Sequence, residues 1–411
     1  MTHRLYYTAP FRRSFDAEVL TVEPVDGRCH VTLDQTAFYP TSGGQPCDTG
    51  TLGASAVTDV IDREDGTIVH VVAGPLEAGK IVTGEIDWTR RFDHMQQHTG
   101  QHVLSAAFDR LCGVRTESFH LGQVHPTTHT PRGGGPGPSS TIDLARDVSA
   151  ADVAKAEDDA NRIVWEDRPV TIRFATAEEA AGMGMRKESL RTGTLRLIDV
   201  HDYDLSACGG THVERTGAIG VIAIGTVEKF KGGSRIEFFC GGRALERFRL
   251  WRGALAAMQK HLSVPAAEMA ASIERMQDEA RAVQRTVRGF QEKLATHEAQ
   301  ALTARSPGTT IVAAMDGWDA QGIKAIAGAA TSLRPDALIA LLTTQSPLQI
   351  VIARGPRSSH DAAALLKSLT ARFGGKGGGQ PDLAQGGGLS GSMAELIGAI
   401  YVLAGQTPPS A

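Results

Sequence analysis

The first 90 residues alternate apolar and polar positions in short runs such as AEVLTVEPV and GTIVHVV, as half-buried strands do. Turn-forming residues separate these runs at 26–27, 42–44 and 65–66. No long helical period interrupts them. The pattern predicts a small closed β-barrel or a sandwich over residues 1–90.

A helical period replaces this alternation after residue 90. Residues 93–111, DHMQQHTGQHVLSAAFDRL, place their apolar side chains near one side of a helix. A second helix is predicted through AADVAKAEDDANRIVWE, and runs such as TLRLIDV and SRIEFFC predict strands. Helices interleaved with strands indicate an α+β domain over residues 91–240. Within it, residues 123–140 are rich in Gly, Pro and Ser and predict a mobile loop.

A heptad pattern marks residues 241–304. Its apolar positions follow one another in alternating steps of four and three residues: Met269, Ile273, Met276, Ala280, Val283, Val287, Phe290 and Leu294. This a/d seam predicts a coiled coil with residues 241–262 as the antiparallel partner, although an amphipathic helix on a globular core shows the same pattern. The seam could close within one chain or between the two chains of a homodimer.

Residues 305–411 return to alternating strand and helix patterns, from TTIVAAM to a final helix through MAELIGAIYVLA. This rhythm predicts an α/β domain. Its run GGKGGGQPDLAQGGG, residues 374–388, has the composition of a flexible glycine-rich loop. The backbone there and Lys376 could approach a phosphate closely.

Composition and charge limit the classes of function. A chain of 411 residues is too long for one ordinary domain, and no apolar run approaches the length of a membrane span. Its first residues lack the features of a secretory signal, and its five scattered cysteines do not form a disulfide framework, so we expect a cytoplasmic protein without a membrane partner. The net charge of -4 gives no support for electrostatic binding of DNA or RNA.

Two distant stretches have the spacing of metal ligands. His94, His98 and His102 are four residues apart on a predicted helix, and two such imidazoles can point at one ion. Cys208 and His212 in CGGTH have the same spacing. Three imidazoles and one thiolate would suit tetrahedral Zn²⁺, but the spacing leaves open which two histidines of the helix take part.

Another pair, His125 and His129, also matches the spacing of four. It lies in the Gly- and Pro-rich segment, so we expect both side chains to be exposed to solvent.

The two motifs HTGQHVLSAA and ACGGTHV resemble the editing domain of alanyl-tRNA synthetase and its free-standing relatives, the trans-editing AlaX proteins. In that family the first ligand pair begins with HT or HS. The resemblance therefore implies one Zn²⁺ per chain, held by His98, His102, Cys208 and His212, with His94 as a neighbour of the site.

Three further stretches extend the resemblance over nearly the whole chain. FYPTSGGQPCDTG (38–50) resembles the family's barrel motif, LRLIDVHDYDLSACGGTHV (195–213) the approach to the second ligand pair, and residues 374–388 the signature of the C-terminal domain. The segment 123–140 is longer than the family's usual link. The resemblance is to the long form of AlaX, in which we expect the synthetase's aminoacylation and anticodon-recognition domains to be missing.

Pattern and resemblance together predict a multi-domain α+β protein. Its parts are an N-terminal small β-barrel (1–90), an α+β zinc-containing editing domain (91–240), a helical or coiled-coil linker (241–304) and a C-terminal α/β domain (305–411).

The resemblance implies an aminoacyl-tRNA deacylase. Its substrate would be tRNA(Ala) mischarged with serine or glycine, and the aminoacyl ester would be hydrolysed. Zinc could activate water, polarise the carbonyl or only position the substrate. A pocket that admits serine also admits alanine, so a buried group must read the extra hydroxyl. Thr116, Ser118 and His120 are candidates, and similarity favours Thr116.

Other interpretations remain open at this point. The protein could be a non-catalytic tRNA-binding module with a structural zinc, or an editing enzyme for another mischarged tRNA such as threonyl-tRNA. Cys208 could be a nucleophile with His102 or His212 as its base. His201, Asp202 and Asp204 could orient the ligands, or they could be ordinary polar residues of a loop, which we favour.

Overall fold

The computed structural model describes residues 1–122, 139–187 and 193–407. The chain divides into two compact units, residues 1–258 and 259–411, each with hydrophobic cores of its own. The predicted multi-domain α+β class is confirmed. His125, His129 and nearly all of the predicted loop lie outside the described residues. Within the described ranges, no helix combines the length and apolar character needed to cross a membrane.

The first unit begins with eight strands, six of which form a barrel. The strands are β1 (His3–Arg4), β2 (Ser14–Val25), β3 (Arg28–Leu33), β4 (Gln35–Thr36), β5 (Gly50–Leu52), β6 (Ser55–Asp62), β7 (Ile68–Val72) and β8 (Ile81–Ile86). Six strands close in the order β2-β3-β7-β6-β5-β8, each antiparallel to its neighbours. Alternate side chains such as Val31 and Leu52 fill the interior. The barrel is therefore confirmed, and the sandwich alternative is wrong.

The rest of the first unit is an α+β arrangement. Its elements are α1 (Trp88–Cys112), β9 (Thr116–Leu121), β10 (Ser140–Leu144), α2 (Ala150–Trp165), β11 (Val170–Thr176), α3 (Ala177–Ala181), β12 (Thr194–Val200), β13 (Asp204–Ala207), β14 (Ile222–Phe230) and β15 (Gly233–Cys240). One antiparallel sheet has the order β14-β15-β10-β9 and a second the order β11-β12-β13. Helices α1 and α2 share a core with the four-stranded sheet.

Helix α1 begins and ends at residues suited to those positions. The Asp87 side chain accepts a hydrogen bond from the backbone N–H of Arg90, as an N-cap does. Gly113 ends the helix at φ 61°, a conformation that glycine adopts without steric cost.

A fully buried ion pair joins α1 to the barrel. Arg91 Nε donates to Asp48 Oδ1 at 2.9 Å, Nη1 donates to Pro10 O at 2.7 Å, and Nη2 donates to Ala37 O and to Asp48. Both charged side chains have no exposed surface. Because removing one partner of such a pair leaves an uncompensated buried charge, the pair fixes α1 against the barrel wall.

Two long helices follow, α4 (Gly241–Leu262) and α5 (Met269–Arg305). Met269 is buried at the start of α5, but Ile273, Val283 and Phe290 of its predicted seam are 41%, 62% and 60% exposed. The helix itself is confirmed, and its pairing with residues 241–262 stays a prediction.

The second unit ends in an α/β arrangement. Its elements are β16 (Thr310–Met315), α6 (Ala320–Leu333), β17 (Leu338–Thr343), β18 (Gln349–Arg354), α7 (Ala362–Phe373), β19 (Lys376–Gly379), β20 (Leu383–Gly387) and α8 (Met393–Leu403). They build one sheet in the order β16-β17-β18-β20-β19, with only β16 and β17 parallel. Residues 374–388, expected as a loop, instead contribute the hairpin β19-β20, because pairing with β18 overrides the weak strand propensity of glycine.

Candidate metal centre

The structure brings the four residues implied by the resemblance into one cluster. The ligating atoms of His98, His102, Cys208 and His212 all lie within 4.8 Å of one another. Cys208 Sγ is 3.4 Å from His98 Nε2 and 3.3 Å from His212 Nε2. Zinc bonds of ordinary length at a tetrahedral angle separate a sulfur from a nitrogen ligand by about 3.6 Å, so the cluster has nearly the dimensions of a zinc site.

Local structure explains how each side chain arrives. His98 and His102 are one turn apart on α1 and are both buried. Cys208 begins the segment that follows β13, and Gly210 lies directly against the first imidazole. A Cβ atom at Gly210 would be 2.2 Å from His98 Cε1, so only glycine allows this approach.

Each imidazole is held from behind by another side chain. The Nδ1 atom of every histidine in the cluster is hydrogen-bonded to a side-chain oxygen: His98 to Gln45 Oε1 at 2.8 Å, His102 to Asp204 Oδ2 at 3.1 Å, and His212 to Thr99 Oγ1 at 3.2 Å. Such partners fix the ring orientation and the tautomer of metal-binding histidines. With Nδ1 occupied, the Nε2 atoms are the ones available to an ion.

Asp204 is itself fixed by a second contact. Arg186 Nε donates to Asp204 Oδ1 at 2.6 Å. Burial acts to raise the pKa of Asp204, but the hydrogen bond from His102 and the charge of Arg186 lower it to about 2. The carboxylate is therefore ionised, and the interpretation of Asp204 as an ordinary loop residue is wrong. His201 and Asp202, by contrast, are exposed and 3.3 Å from each other.

The cluster favours a thiolate. Burial acts to raise the pKa of the Cys208 thiol, but the imidazoles of His98 and His212 lower it well below its ordinary value. Burial acts to lower the pKa of His102, whereas its hydrogen bonds with Asp204 and Cys208 raise it to about 9. A thiolate is the form that both a metal ligand and a nucleophile require. A nucleophile needs one base, however, and three imidazoles converge on this sulfur.

His94 lies outside the cluster, as the resemblance implied. It is fully buried one turn before His98, and neither of its ring nitrogens has a hydrogen-bond partner among the described residues. Burial lowers the pKa of His94 well below its ordinary value, so the imidazole is neutral.

Two of the three candidates for a hydroxyl reader already make hydrogen bonds, and the third is exposed. Thr116 is buried, and its Oγ1 donates to Ser105 Oγ at 2.7 Å, on the turn of α1 that follows His102. Ser118 donates to the carboxylate of Asp143, and the His120 side chain is 64% exposed. The role of Thr116 therefore stays a prediction. It also lines a cavity of about 60 Å³.

Sequence reasoning missed two residues that hold the ligands, Gln45 and Thr99. Gln45 lies in the barrel motif FYPTSGGQPCDTG, and Thr99 lies between the two histidines of HTGQH. Both stretches carry the resemblance, so position within a motif is the available signal, but no rule of spacing assigns either residue to a histidine.

Three protein families match separate parts of the chain. The family described as "tRNA synthetases class II (A)" matches residues 11–90, "Threonyl and Alanyl tRNA synthetase second additional domain" matches 195–237, and "DHHA1 domain" matches 308–401. The first contains the closed barrel, the second contains Cys208 and His212, and the third contains the five-stranded sheet.

Longer relatives cover almost all of the chain. The alanine–tRNA ligase of Pyrococcus abyssi is 32% identical over an alignment of 410 positions, which covers 94% of this chain and 42% of that protein. The alanine–tRNA ligase of Pyrobaculum neutrophilum is 34% identical over 406 residues, with the same two shares. The chain thus spans less than half the length of these relatives. The solved C-Ala domain of Aquifex aeolicus alanyl-tRNA synthetase matches 23% of this chain and 86% of that one, with 18% identity and a TM-score of 0.21, too low to establish a shared fold.

Proposed function

We propose that this protein is a trans-editing hydrolase of the long AlaX type. The proposal is supported by its alanyl-tRNA synthetase-family domains and its homology to archaeal alanine–tRNA ligases. The protein deacylates tRNA(Ala) mischarged with serine or glycine, in the cytoplasm. The observation that carries the proposal is the buried cluster of His98, His102, Cys208 and His212, with an oxygen partner behind every imidazole.

The donor set fits zinc. One thiolate and three imidazoles are borderline-soft ligands in a tetrahedral arrangement, which Zn²⁺ accepts and which Mg²⁺ or Ca²⁺ does not prefer. Four protein ligands fill a tetrahedral zinc site, so zinc bound there would need a fifth coordination position to lower the pKa of a water molecule or to polarise the ester carbonyl. The Asp204 carboxylate accepts a hydrogen bond from Nδ1 of His102, so Nε2 is the nitrogen that would release its proton and bind the metal.

Access to the cluster supports a catalytic role over a structural one. The three histidines are buried, whereas Cys208 is half-buried, Gly209 is half-buried and Ala207 is exposed. The cluster therefore reaches solvent on the side of residues 207–209, where an aminoacyl ester could approach. A structural zinc site needs no such opening.

Selectivity for serine over alanine requires a buried polar group that is satisfied only by the larger substrate. Serine binding would pair with that group, and alanine would leave it unpaired, a difference of up to about 10⁴-fold where pairing is complete. We propose Thr116 as this group: its buried hydroxyl donates to Ser105 Oγ and has lone pairs left to accept a hydrogen bond from the serine hydroxyl.

Threonyl-tRNA is the competing target, because one matching family covers threonyl as well as alanyl synthetases. The alanyl target is favoured because alanine–tRNA ligases match 94% of the chain, which includes both the barrel and the C-terminal sheet.

Deacylation of defined substrates tests the proposal. The purified protein is incubated with Ser-tRNA(Ala), Gly-tRNA(Ala) and Ala-tRNA(Ala), and release of each amino acid is followed. We expect loss of serine and retention of alanine. Cys208→Ala should abolish the activity, and Cys112→Ala, which removes another half-buried cysteine, should not. If all three substrates survive with the unaltered protein, the non-catalytic tRNA-binding interpretation replaces this one.

A further inference from the structure

Gln45 is a fully buried polar residue of the barrel that reaches the metal cluster. It ends a tight turn in which Ser42 N donates to Gln45 O at 3.0 Å and Gln45 N donates to Ser42 O at 2.9 Å. Its side chain has no exposed surface. The turn fixes the backbone of Gln45 and therefore sets the direction in which the side chain leaves the barrel.

The amide of Gln45 touches both halves of the ligand set. Its Oε1 atom is 2.8 Å from His98 Nδ1 and accepts a bond from Thr211 N at 3.2 Å. Its Nε2 atom donates to Thr211 Oγ1 at 2.9 Å. Thr211 directly precedes His212. One side chain thus joins the helix that carries the first ligand pair to the segment that carries the second.

These hydrogen bonds determine which terminal atom of the Gln45 amide is the oxygen and which is the nitrogen. Thr211 N–H can only donate, so the atom facing it must be an oxygen. The same oxygen faces His98 Nδ1. Because a carbonyl oxygen only accepts, Nδ1 of His98 must carry the proton, and the lone pair of that ring is left on Nε2, 3.4 Å from Cys208 Sγ.

We infer that Gln45 is a positioning residue for the metal centre, so that the barrel completes a site whose ligands all lie outside it. The inference rests on the proposed zinc site, although not on the proposed hydrolysis. The barrel thereby takes part in the chemistry of the centre. Without Gln45, His98 would be free to rotate or to change tautomer, and the segment with Cys208 and His212 would be tied to α1 only through other contacts such as the bond between Thr99 and His212.

Zinc binding to the full chain tests this. Gln45→Met keeps the length of the side chain and removes both polar atoms. Removing an outer partner of a ligating histidine typically lowers metal affinity about 10- to 100-fold, and we expect a rise of that size in the zinc dissociation constant, measured by competition with a chromophoric chelator. Gln45→Glu retains an acceptor for His98 and should stay within about threefold of the unaltered protein.

A matched control separates positioning from general stability. Gln97 is also fully buried, precedes His98 in sequence, and exchanges two hydrogen bonds with the backbone of Cys240 instead of with a ligand. Gln97→Met should lose stability but keep its zinc affinity. The Co²⁺-substituted protein gives a second readout, since a changed ligand field alters the visible spectrum in Gln45→Met and not in Gln97→Met.

Three results would overturn the inference: unchanged zinc affinity in Gln45→Met, an equal loss in Gln97→Met, or a loss in Gln45→Glu as large as in Gln45→Met. If Gln45→Met does not fold, Thr211→Val removes the bond from Gln45 Nε2 to the threonine hydroxyl and keeps the bond from the backbone N–H of residue 211 to Oε1. We expect a smaller rise in the zinc dissociation constant, and a zinc affinity equal to that of the unaltered protein would overturn the inference too. If the Gln45 variants change the zinc affinity as expected but the unaltered protein leaves Ser-tRNA(Ala) intact, the proposed hydrolysis is refuted and the positioning role of Gln45 stands.

Discussion

Acid should weaken the barrel through one buried histidine, His70. Its Nε2 atom is 2.8 Å from Thr36 Oγ1 and its Nδ1 atom is 3.2 Å from the carbonyl oxygen of Val31. Since a carbonyl only accepts, Nδ1 carries the proton and Nε2 accepts from the threonine hydroxyl. Protonation of Nε2 would require that hydroxyl to turn and accept the bond, and would bury a charge. Burial accordingly lowers the pKa of His70 from 6.5 to about 4.

The sign and size of the effect follow from linkage. Between pH 6.5 and pH 4 the unfolded chain binds a proton at His70 and the folded barrel does not, so the stabilisation is complete above pH 6.5 and is lost as the pH falls through this window. At about 1.4 kcal/mol per pH unit, the pKa difference corresponds to about 3 kcal/mol. His70→Gln keeps a donor and an acceptor but does not titrate.

Hydrogen exchange measures this in the intact protein. Exchange rates of peptides from β3 and β7, corrected for intrinsic rates, give the free energy of opening the barrel at each pH. We expect the unaltered protein to lose about 3 kcal/mol more than His70→Gln between pH 6.5 and pH 4, and an exposed control, His3→Gln, to follow the unaltered protein. Parallel profiles for His70→Gln and the unaltered protein would refute the reasoning.

Three further predictions concern the cluster. Gly210→Ala places a Cβ atom 2.2 Å from His98 Cε1 and should weaken zinc binding. The neighbouring Gly209→Ala places its Cβ atom no nearer than 3.9 Å to any heavy atom beyond its chain neighbours and should not weaken it. Equal zinc affinities of the two variants, measured by chelator competition, would contradict this prediction. A strong chelator should abolish release of serine from Ser-tRNA(Ala), and added Zn²⁺ should restore it. Full activity in the presence of the chelator would show that the reaction does not depend on a metal. Thr116→Val should narrow the difference in deacylation rate between seryl and alanyl substrates. A proportional change in both rates, with their ratio preserved, would exclude Thr116 as the hydroxyl reader.

The two candidate ligands on α1 could be predicted from sequence because a helix converts spacing into geometry, whereas Cys208 and His212 lie in an irregular segment. Residues four apart share a face, so the spacing of His98 and His102 is enough to make them candidates. Spacing alone could not exclude His94, which has the same periodicity; the resemblance did. The partners behind the ligands follow no such rule. Gln45 is 53 positions from His98 in the chain, and its role depends on how the barrel packs against α1.

Strand pairing was likewise harder to predict than strand propensity suggests. The barrel follows from alternation, since inward and outward positions differ in polarity. Eight of the fifteen residues 374–388 are glycines, which have no side chain with which to alternate, so composition predicted a loop. The structure pairs Gly386 with Ile350 of β18, and hydrogen bonds to an already buried strand determine the outcome.

The barrel and the cluster are better understood as one site than as two domains side by side. The buried pair Arg91–Asp48 fixes the start of α1 to the barrel wall, and Gln45 contacts the same helix about two turns later at His98. A shift of the barrel relative to α1 would expose a buried charge at the first contact and release a ligand at the second. Because breaking the Arg91–Asp48 pair is costly, the pair helps to keep Gln45 in place against His98. A fragment that kept the four candidate ligands but lacked the barrel should therefore bind zinc weakly even if it folded.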